Sequence, residues 1–104
     1  MSKTWDAIVI GAGHNGLTTA AYLARAGLDT LIVEKNDYIG GAAVSRALYR
    51  DDWIYSNCSY VSSLLRPEIY RDLDLARYGL QIVPYGGGAT IARDGDYIGR
   101  FVDP

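Results

Sequence analysis

A single cysteine, Cys58, stands in a chain of 104 residues. One thiol cannot close an intrachain disulfide and cannot build a clustered-thiolate metal site, so no disulfide framework and no bound metal is expected, a usage that suits a reducing compartment. The plain expectation for Cys58 is a small buried apolar residue rather than a reactive thiol. Histidine is as scarce, with His14 alone. No apolar run approaches the ~20 residues that cross a bilayer. The amino terminus lacks both a signal-peptide core and an arginine-rich transit pattern, which leads us to expect a cytoplasmic protein. Neither sign of charge prevails: 10 Lys and Arg against 12 Asp and Glu leave a net charge of -2. The charges are interspersed, without the basic stripe that a DNA or RNA backbone calls for, so nucleic acid is not an expected partner. Internal repeats and low-complexity tracts are also lacking.

What is present reads as one soluble globular unit. The chain is 49% hydrophobic and 21% charged, enough for a modest core. Ala7-Ile8-Val9-Ile10 is a near-continuous apolar run, the mark of a parallel strand buried on both faces. Leu17 to Ala26, rich in alanine and leucine, predicts a helix that Gly27 ends in a left-handed conformation. Thr30-Leu31-Ile32-Val33 is a second β-branched strand. Two parallel strands joined by a helix form a right-handed βαβ unit.

Between the first strand and the helix lies GAGHNG, with Gly11, Gly13 and Gly16 in GxGxxG spacing. Gly11 allows a tight strand-to-helix turn, Gly13 lets main chain approach a pyrophosphate, and Gly16 lets the helix pack closely on the strand. Phosphates over the amides at the helix amino end would meet the favourable end of the peptide dipoles. Alone the spacing is weak, in a sequence with 12 glycines. Glu34, at the end of the second strand, lies close to the ~20-residue separation expected of the acid that binds a ribose diol, and its charge disfavours a 2′-phosphate and hence NADP. The readings open at this point are a flavin dinucleotide, a nicotinamide dinucleotide, or a plain glycine-rich turn with a solvated glutamate beside Lys35. His14, inside the turn, reads as a spacer lending its amide rather than as an acid or base.

The segment EKNDYIGGAAVS adds a second glycine loop, Gly40-Gly41. It is either a flexible turn or a second place of close main-chain approach, and a simple NAD fold does not need it. Here the sequence resembles the FAD-dependent oxidoreductases that include amine oxidases and phytoene desaturases. Within that group it is most like the phytoene-dehydrogenase-like branch, which contains pyridine nucleotide-disulfide oxidoreductase domain protein 2-like sequences. The stretches DAIVIGAGHNGLTTAAYLARAG, VEKNDYIGGAAVS and SNCSYVSSLLRPEIYRDLDLARYGL carry the resemblance and cover most of the chain. The resemblance implies FAD as cofactor, with Gly11, Gly13, His14, Asn15 and Gly16 around its pyrophosphate. Glu34 would sit on the adenosine ribose with Lys35 beside it, and Gly40, Gly41 and Ala42 would form a second flavin-contacting loop. Many amine-oxidase-like members carry arginine after the glycine pair, where this chain has Ala42, so a bidentate phosphate contact is missing. That departure speaks against an amine oxidase in particular. By the same analogy Ser59 and Tyr60 could approach the flavin ring, which spacing alone does not show.

Further along, Arg66-Pro67-Glu68 predicts a helix start, with apolar positions at Ile69, Leu73 and Ala76 and a stop at Gly79. Leu80 to Val83 predicts a short strand. Ala89 to Arg93 and Tyr97 to Phe101 flank Asp94-Gly95-Asp96, a hairpin composition. Asp51-Asp52 reads as a solvated turn rather than an acid/base pair. The nine tyrosines read as packing residues with hydroxyls at a polar edge, the alternative being a substrate channel.

The expected fold is therefore α/β: a Rossmann-like βαβ FAD/NAD(P)-binding fold, incomplete, with a C-terminal β-hairpin. Residues 1–45 would hold the dinucleotide-binding core and second glycine loop, and 46–104 the start of the flavin and substrate side. Two clear strands are few for a doubly wound sheet. The chain is thus expected to be an amino-terminal portion whose open edges and faces self-association could cover. An intact relative would pass a hydride from a substrate carbon to flavin N5. The alternatives are an NAD-dependent dehydrogenase fragment and a non-catalytic nucleotide-binding or interaction fragment. No catalytic residue and no substrate can be named.

Overall fold

In the computed structural model, which describes residues 3–59 and 61–101, the first third of the chain is the βαβ unit. Strand β1 (Ala7–Ile10) runs into helix α1 (His14–Arg25), and strand β2 (Thr30–Val33) returns alongside β1. The pairing is parallel, from Ala7 opposite Thr30 to Ile10 opposite Val33. Isoleucine and valine favour these strands because their branched side chains suit a pleated, packed surface. Alanine and leucine favour α1 because they lose little side-chain freedom in a helix.

Helix α1 ends as its sequence predicts. Gly27 takes φ +88, its amide donates to Ala24 O at 3.0 Å, and the Leu28 amide reaches back to Leu23 O at 3.2 Å. That is a Schellman closure, which satisfies carbonyls that the helix leaves open. Its start differs from expectation: α1 begins at His14, not Leu17, so Gly16 lies in its first turn. Glycine there is a steric need. A Cβ on Gly16 would drive into the Gly11 carbonyl oxygen and come 3.5 Å from Val9 Cγ1.

The core lies between α1 and the β1–β2 sheet, and Ala12 and Ala20 are its buried residues among those described. Ala7 and Val9 face inward, while Ile8 and Ile10 are 60% and 88% exposed. The expectation of a strand covered on both faces is therefore corrected: one face of the sheet meets α1, and no second layer lies over the other among the described residues.

Beyond β2, a short 3₁₀ turn covers Gly41–Ala43, and β3 (Ser45–Arg46) pairs antiparallel with β4 (Tyr55–Ser56). The sequence pattern did not predict this small ladder, whose two-residue strands are too short to show alternation. Helix α2 (Pro67–Asp72) starts at Pro67 as expected. It does not run on to Gly79. Asp74 adopts φ 50, the Leu75 amide bonds Tyr70 O at 3.0 Å, and a second reversal closes at Gly79, where the Leu80 amide bonds Leu75 O at 3.1 Å. Two short turns thus replace one helix. Leu80 to Val83 is no strand, for no strand among the described residues pairs with it.

The hairpin is present. Strand β5 (Gly87–Ile91) pairs antiparallel with β6 (Tyr97–Phe101), two residues earlier than the predicted start. Its turn is closed by Ala92 N–H to Asp96 O at 2.7 Å and Gly95 N–H to Ala92 O at 3.2 Å. Helix α2 is tied to α1 by the Tyr22 hydroxyl, which donates to Asp72 Oδ2 at 3.0 Å. The molecule is elongated, 66 × 31 × 25 Å, with a radius of gyration of 18.5 Å against about 13 Å for a compact domain of this length.

The packing at Gly16 predicts a large effect from a small change. Gly16→Ala should destabilise the chain by about 1–3 kcal/mol through overpacking of a close backbone contact. Gly86→Ala, where an added Cβ meets nothing within 4 Å, should be neutral within about 0.5 kcal/mol. Chemical denaturation of the two variants checks the contrast, and equal midpoints would refute it.

Candidate functional site

The site begins where β1 stops. Gly11 takes φ +98, a conformation open to glycine, and its amide donates to Val33 O at 2.7 Å. The chain thereby leaves the sheet sharply and delivers Ala12 to the interior. The Ala12 amide donates to Glu34 Oε2 at 2.7 Å, and its carbonyl accepts from the Gly40 amide at 2.8 Å. A short parallel bridge links Gly13 to Gly40. A Cβ on Gly41 would come 3.0 Å from Gly13 Cα. The two glycine segments, 27 residues apart by their numbers 13 and 40, therefore lie directly against each other.

Gly13 is the residue before α1, extended at φ -74 and ψ 174, and no side chain caps the helix. The first amides of a helix have no partner within it, and the peptide dipoles add partial positive charge there. His14 and Asn15 are exposed on this first turn. With Ala42 they line one end of an open groove of about 800 Å³. Ala42 sits in the 3₁₀ turn, exposed, and contributes a methyl group and no charge.

Cys58 and Ser59 line the same groove. Cys58 is exposed, which corrects the expectation of a buried residue: its segment lies along the groove wall, not in the core. Ser59 and Tyr60 are the two residues that analogy linked to the flavin ring; Ser59 stands on this groove, and Tyr60 lies outside the described residues. Leu64, Leu65 and Ile69 give the far wall apolar character.

Glu34 is the electrostatic centre of the arrangement. Besides the Ala12 amide, it accepts the Asn36 amide at 2.9 Å and Asn36 Nδ2 at 2.8 Å, both on Oε1. The Ala12 bond, then the Asn36 amide, holds its carboxyl below the ordinary value of 4.5, against a smaller opposing effect of burial. Lys35 is exposed beside it. The structure thus brings together Gly11, Gly13, His14, Asn15, Gly16, Glu34, Gly40, Gly41 and Ala42, with Lys35 at the margin.

Two participants escape a reading of spacing. Ala12 acts through its main chain, which no side-chain pattern announces, although its place between two glycines was a hint. Asn36 acts through position, two residues after the acid in a turn where a short amide can bend back on it. Asp52 pairs with Arg50 through two bonds, at 3.0 and 2.6 Å, on an exposed turn. It is the solvated turn that the sequence suggests.

Comparisons with known proteins identify the family and the fold. Rat pyridine nucleotide-disulfide oxidoreductase domain-containing protein 2 is 51% identical over 82 residues, 79% of this chain and 14% of its own length. The phytoene desaturase of Neurospora crassa is 41% identical over 70 residues, 64% of this chain and 11% of its own. A solved fatty acid isomerase from P. acnes, described as CLA-producing, superimposes with a TM-score of 0.69 at 25% identity, over 94% of this chain and 23% of that one. The chain therefore spans a small part of its relatives. The model of the NAD(P)-binding Rossmann-like domain matches residues 9–74, which run from within β1 through the glycine turn and Glu34 to the end of α2. The match takes in more than half of the residues, and the chain accordingly belongs to the NAD(P)-binding Rossmann-like domain family, as a relative of phytoene desaturase and of pyridine nucleotide-disulfide oxidoreductase domain-containing protein 2.

Proposed function

We propose that this chain anchors FAD by its adenosine-diphosphate half, as the cofactor-holding part of a phytoene-dehydrogenase-like oxidoreductase. One observation carries the reading. Gly13 has an ordinary φ of -74, and a Cβ there would meet only Gly41 Cα, at 3.9 Å, an ordinary contact. The chain's own fold makes no demand for glycine at this position. Gly13 is the residue before the helix amino end, and in this reading an added methyl group there would take space that a diphosphate needs.

In this reading Gly11, Gly13, His14, Asn15 and Gly16 present main chain to the pyrophosphate, and Glu34 takes the adenosine ribose with Lys35 at its side. Gly40, Gly41 and Ala42 extend the cradle as a second loop. That loop favours flavin over nicotinamide, because it lies against the first with no side chain between. Residues 1–45 form the dinucleotide core and residues 46–104 begin the flavin side. The bound flavin would supply a two-electron acceptor, taking a hydride from a substrate carbon at N5. The chain's own part is to bind and orient it. An exposed, unpaired Cys58 suits the reducing cytoplasm.

The direct test is titration of the purified chain with FAD and NAD. Flavin fluorescence should be quenched with near one-to-one uptake, whereas a protein that takes NAD and ignores FAD would overturn the flavin assignment. Gly13→Ala separates ligand space from fold: the midpoint of unfolding should move by less than about 1 kcal/mol, while FAD affinity falls at least about tenfold. A variant that binds FAD like the parent would remove the main support for the reading.

The acid has its own pH signature. A carboxyl whose folded value is depressed contributes stability above its unfolded value and loses it as pH falls through the folded one. Melting temperature should therefore drop on acidification below about 4.5, the ordinary value of this glutamate. Glu34→Gln should lose that part of the acid dependence. Thermal unfolding across the acid range, with parent and variant side by side, measures it.

A further inference from the structure

Glu34 reaches the glycine turn with most of its hydrogen-bonding capacity already used. Oε1 receives two donors from one residue, the Asn36 amide at 2.9 Å and Asn36 Nδ2 at 2.8 Å. Oε2 receives the Ala12 amide at 2.7 Å. A carboxylate offers about four acceptor positions, so three are filled from within the chain. Oε2, the oxygen beside the glycine turn, accepts the Ala12 amide alone among the hydrogen bonds of the described residues. The orientation of the Asn36 amide follows from chemistry, because its carbonyl oxygen would repel a carboxylate oxygen at this distance while its nitrogen donates to it.

A free glutamate side chain loses rotamer freedom when a ligand fixes it, and binding must offset that loss. Asn36 shifts the cost into folding. With Oε1 pinned by two bonds and Oε2 by one, the carboxylate stands in place before any ligand arrives, which is preorganisation.

We infer that Asn36 is a positioning residue for ribose recognition: its side-chain amide pins Glu34 so that Oε2 offers one fixed acceptor to a hydroxyl of the adenosine ribose. The inference rests on the dinucleotide reading above and adds a specific mechanical role to it. The rival role on the same contacts predicts the opposite effect. Asn36 Nδ2 could occupy the acceptor that a second ribose hydroxyl would use, and would then weaken binding. The two roles give opposite signs when Nδ2 is removed.

The experiment uses the full chain as the parent, Asn36→Ala, Glu34→Gln and the double variant, each checked for folding by circular dichroism. FAD affinity is read by fluorescence quenching. In the absence of nucleotide, the Glu34 carboxyl is titrated by carbon NMR. Asn36→Ala should weaken FAD binding roughly three- to tenfold, the scale of one hydrogen bond. It should also move the Glu34 titration upward toward 4.5, the ordinary value, because one donor to the anion is gone. In the double variant the Asn36 change should cost nothing further, since a residue that acts through Glu34 has nothing left to position. Tighter binding by Asn36→Ala, an unmoved Glu34 titration, or fully additive losses would each overturn the inference while leaving the dinucleotide site intact. Failure of the parent to bind FAD is a separate outcome: it would bring down the flavin reading and the inference together.

Discussion

The peptide of Ala12 is engaged from two directions. Its amide is held by the Glu34 carboxylate at 2.7 Å and its carbonyl by the Gly40 amide at 2.8 Å. Ala12 itself is buried. A buried amide without a partner costs about 1–3 kcal/mol, so the two later segments must approach this peptide closely if it is to be buried at all. That approach sets the rest. Gly41 must lack a side chain where it lies against Gly13, Gly16 must let α1 lie on the Gly11 carbonyl, and Glu34 must sit at the end of β2 with its carboxylate turned inward. The turn, the acid and the second loop are one hydrogen-bonded object, not three neighbouring features.

This local order contrasts with the open remainder of the structure. A parallel sheet normally has both faces covered, yet Ile8 and Ile10 stand exposed, and the hairpin β5–β6 leaves Ile91, Ile98 and Phe101 outward. Such apolar surface favours burial at roughly 25 cal/mol per Å², a pull toward any further layer that can meet it. The relatives have length to spare, since the match to the rat protein covers 14% of it. The glycine cradle depends little on that layer, because its hydrogen bonds are made within residues 11–44.

How much of this was readable from the sequence depends on whether the cause was local. The strands Ala7–Ile10 and Thr30–Val33, the Gly27 stop and the Pro67 start were legible, because β-branching, a left-handed cap and a fixed proline φ act at single positions. The glycine spacing marked the strand-to-helix turn for the same reason. The distance failures have the opposite character. Leu80 to Val83 has strand composition but no pairing partner, and composition cannot supply one. Asp74 breaks α2 by entering the left-handed region, which aspartate tolerates more readily than most residues, without the glycine that usually marks such a break. Cys58 and the two faces of β1 depend on a covering layer, and burial is a property of neighbours, not of a segment. Asn36 was hidden because its role is to hold another side chain.

The cradle closes across the whole βαβ crossover and the loop after it. Ala12 meets its carboxylate partner 22 residues on and its amide partner 28 residues on, by the numbers 12 and 40. Contacts this far apart in sequence, across a parallel crossover, form later than the local contacts of α1. The peptide of Ala12 therefore stays unsatisfied until both β2 and the second glycine loop have come back to it, so the three segments fold as one cooperative unit.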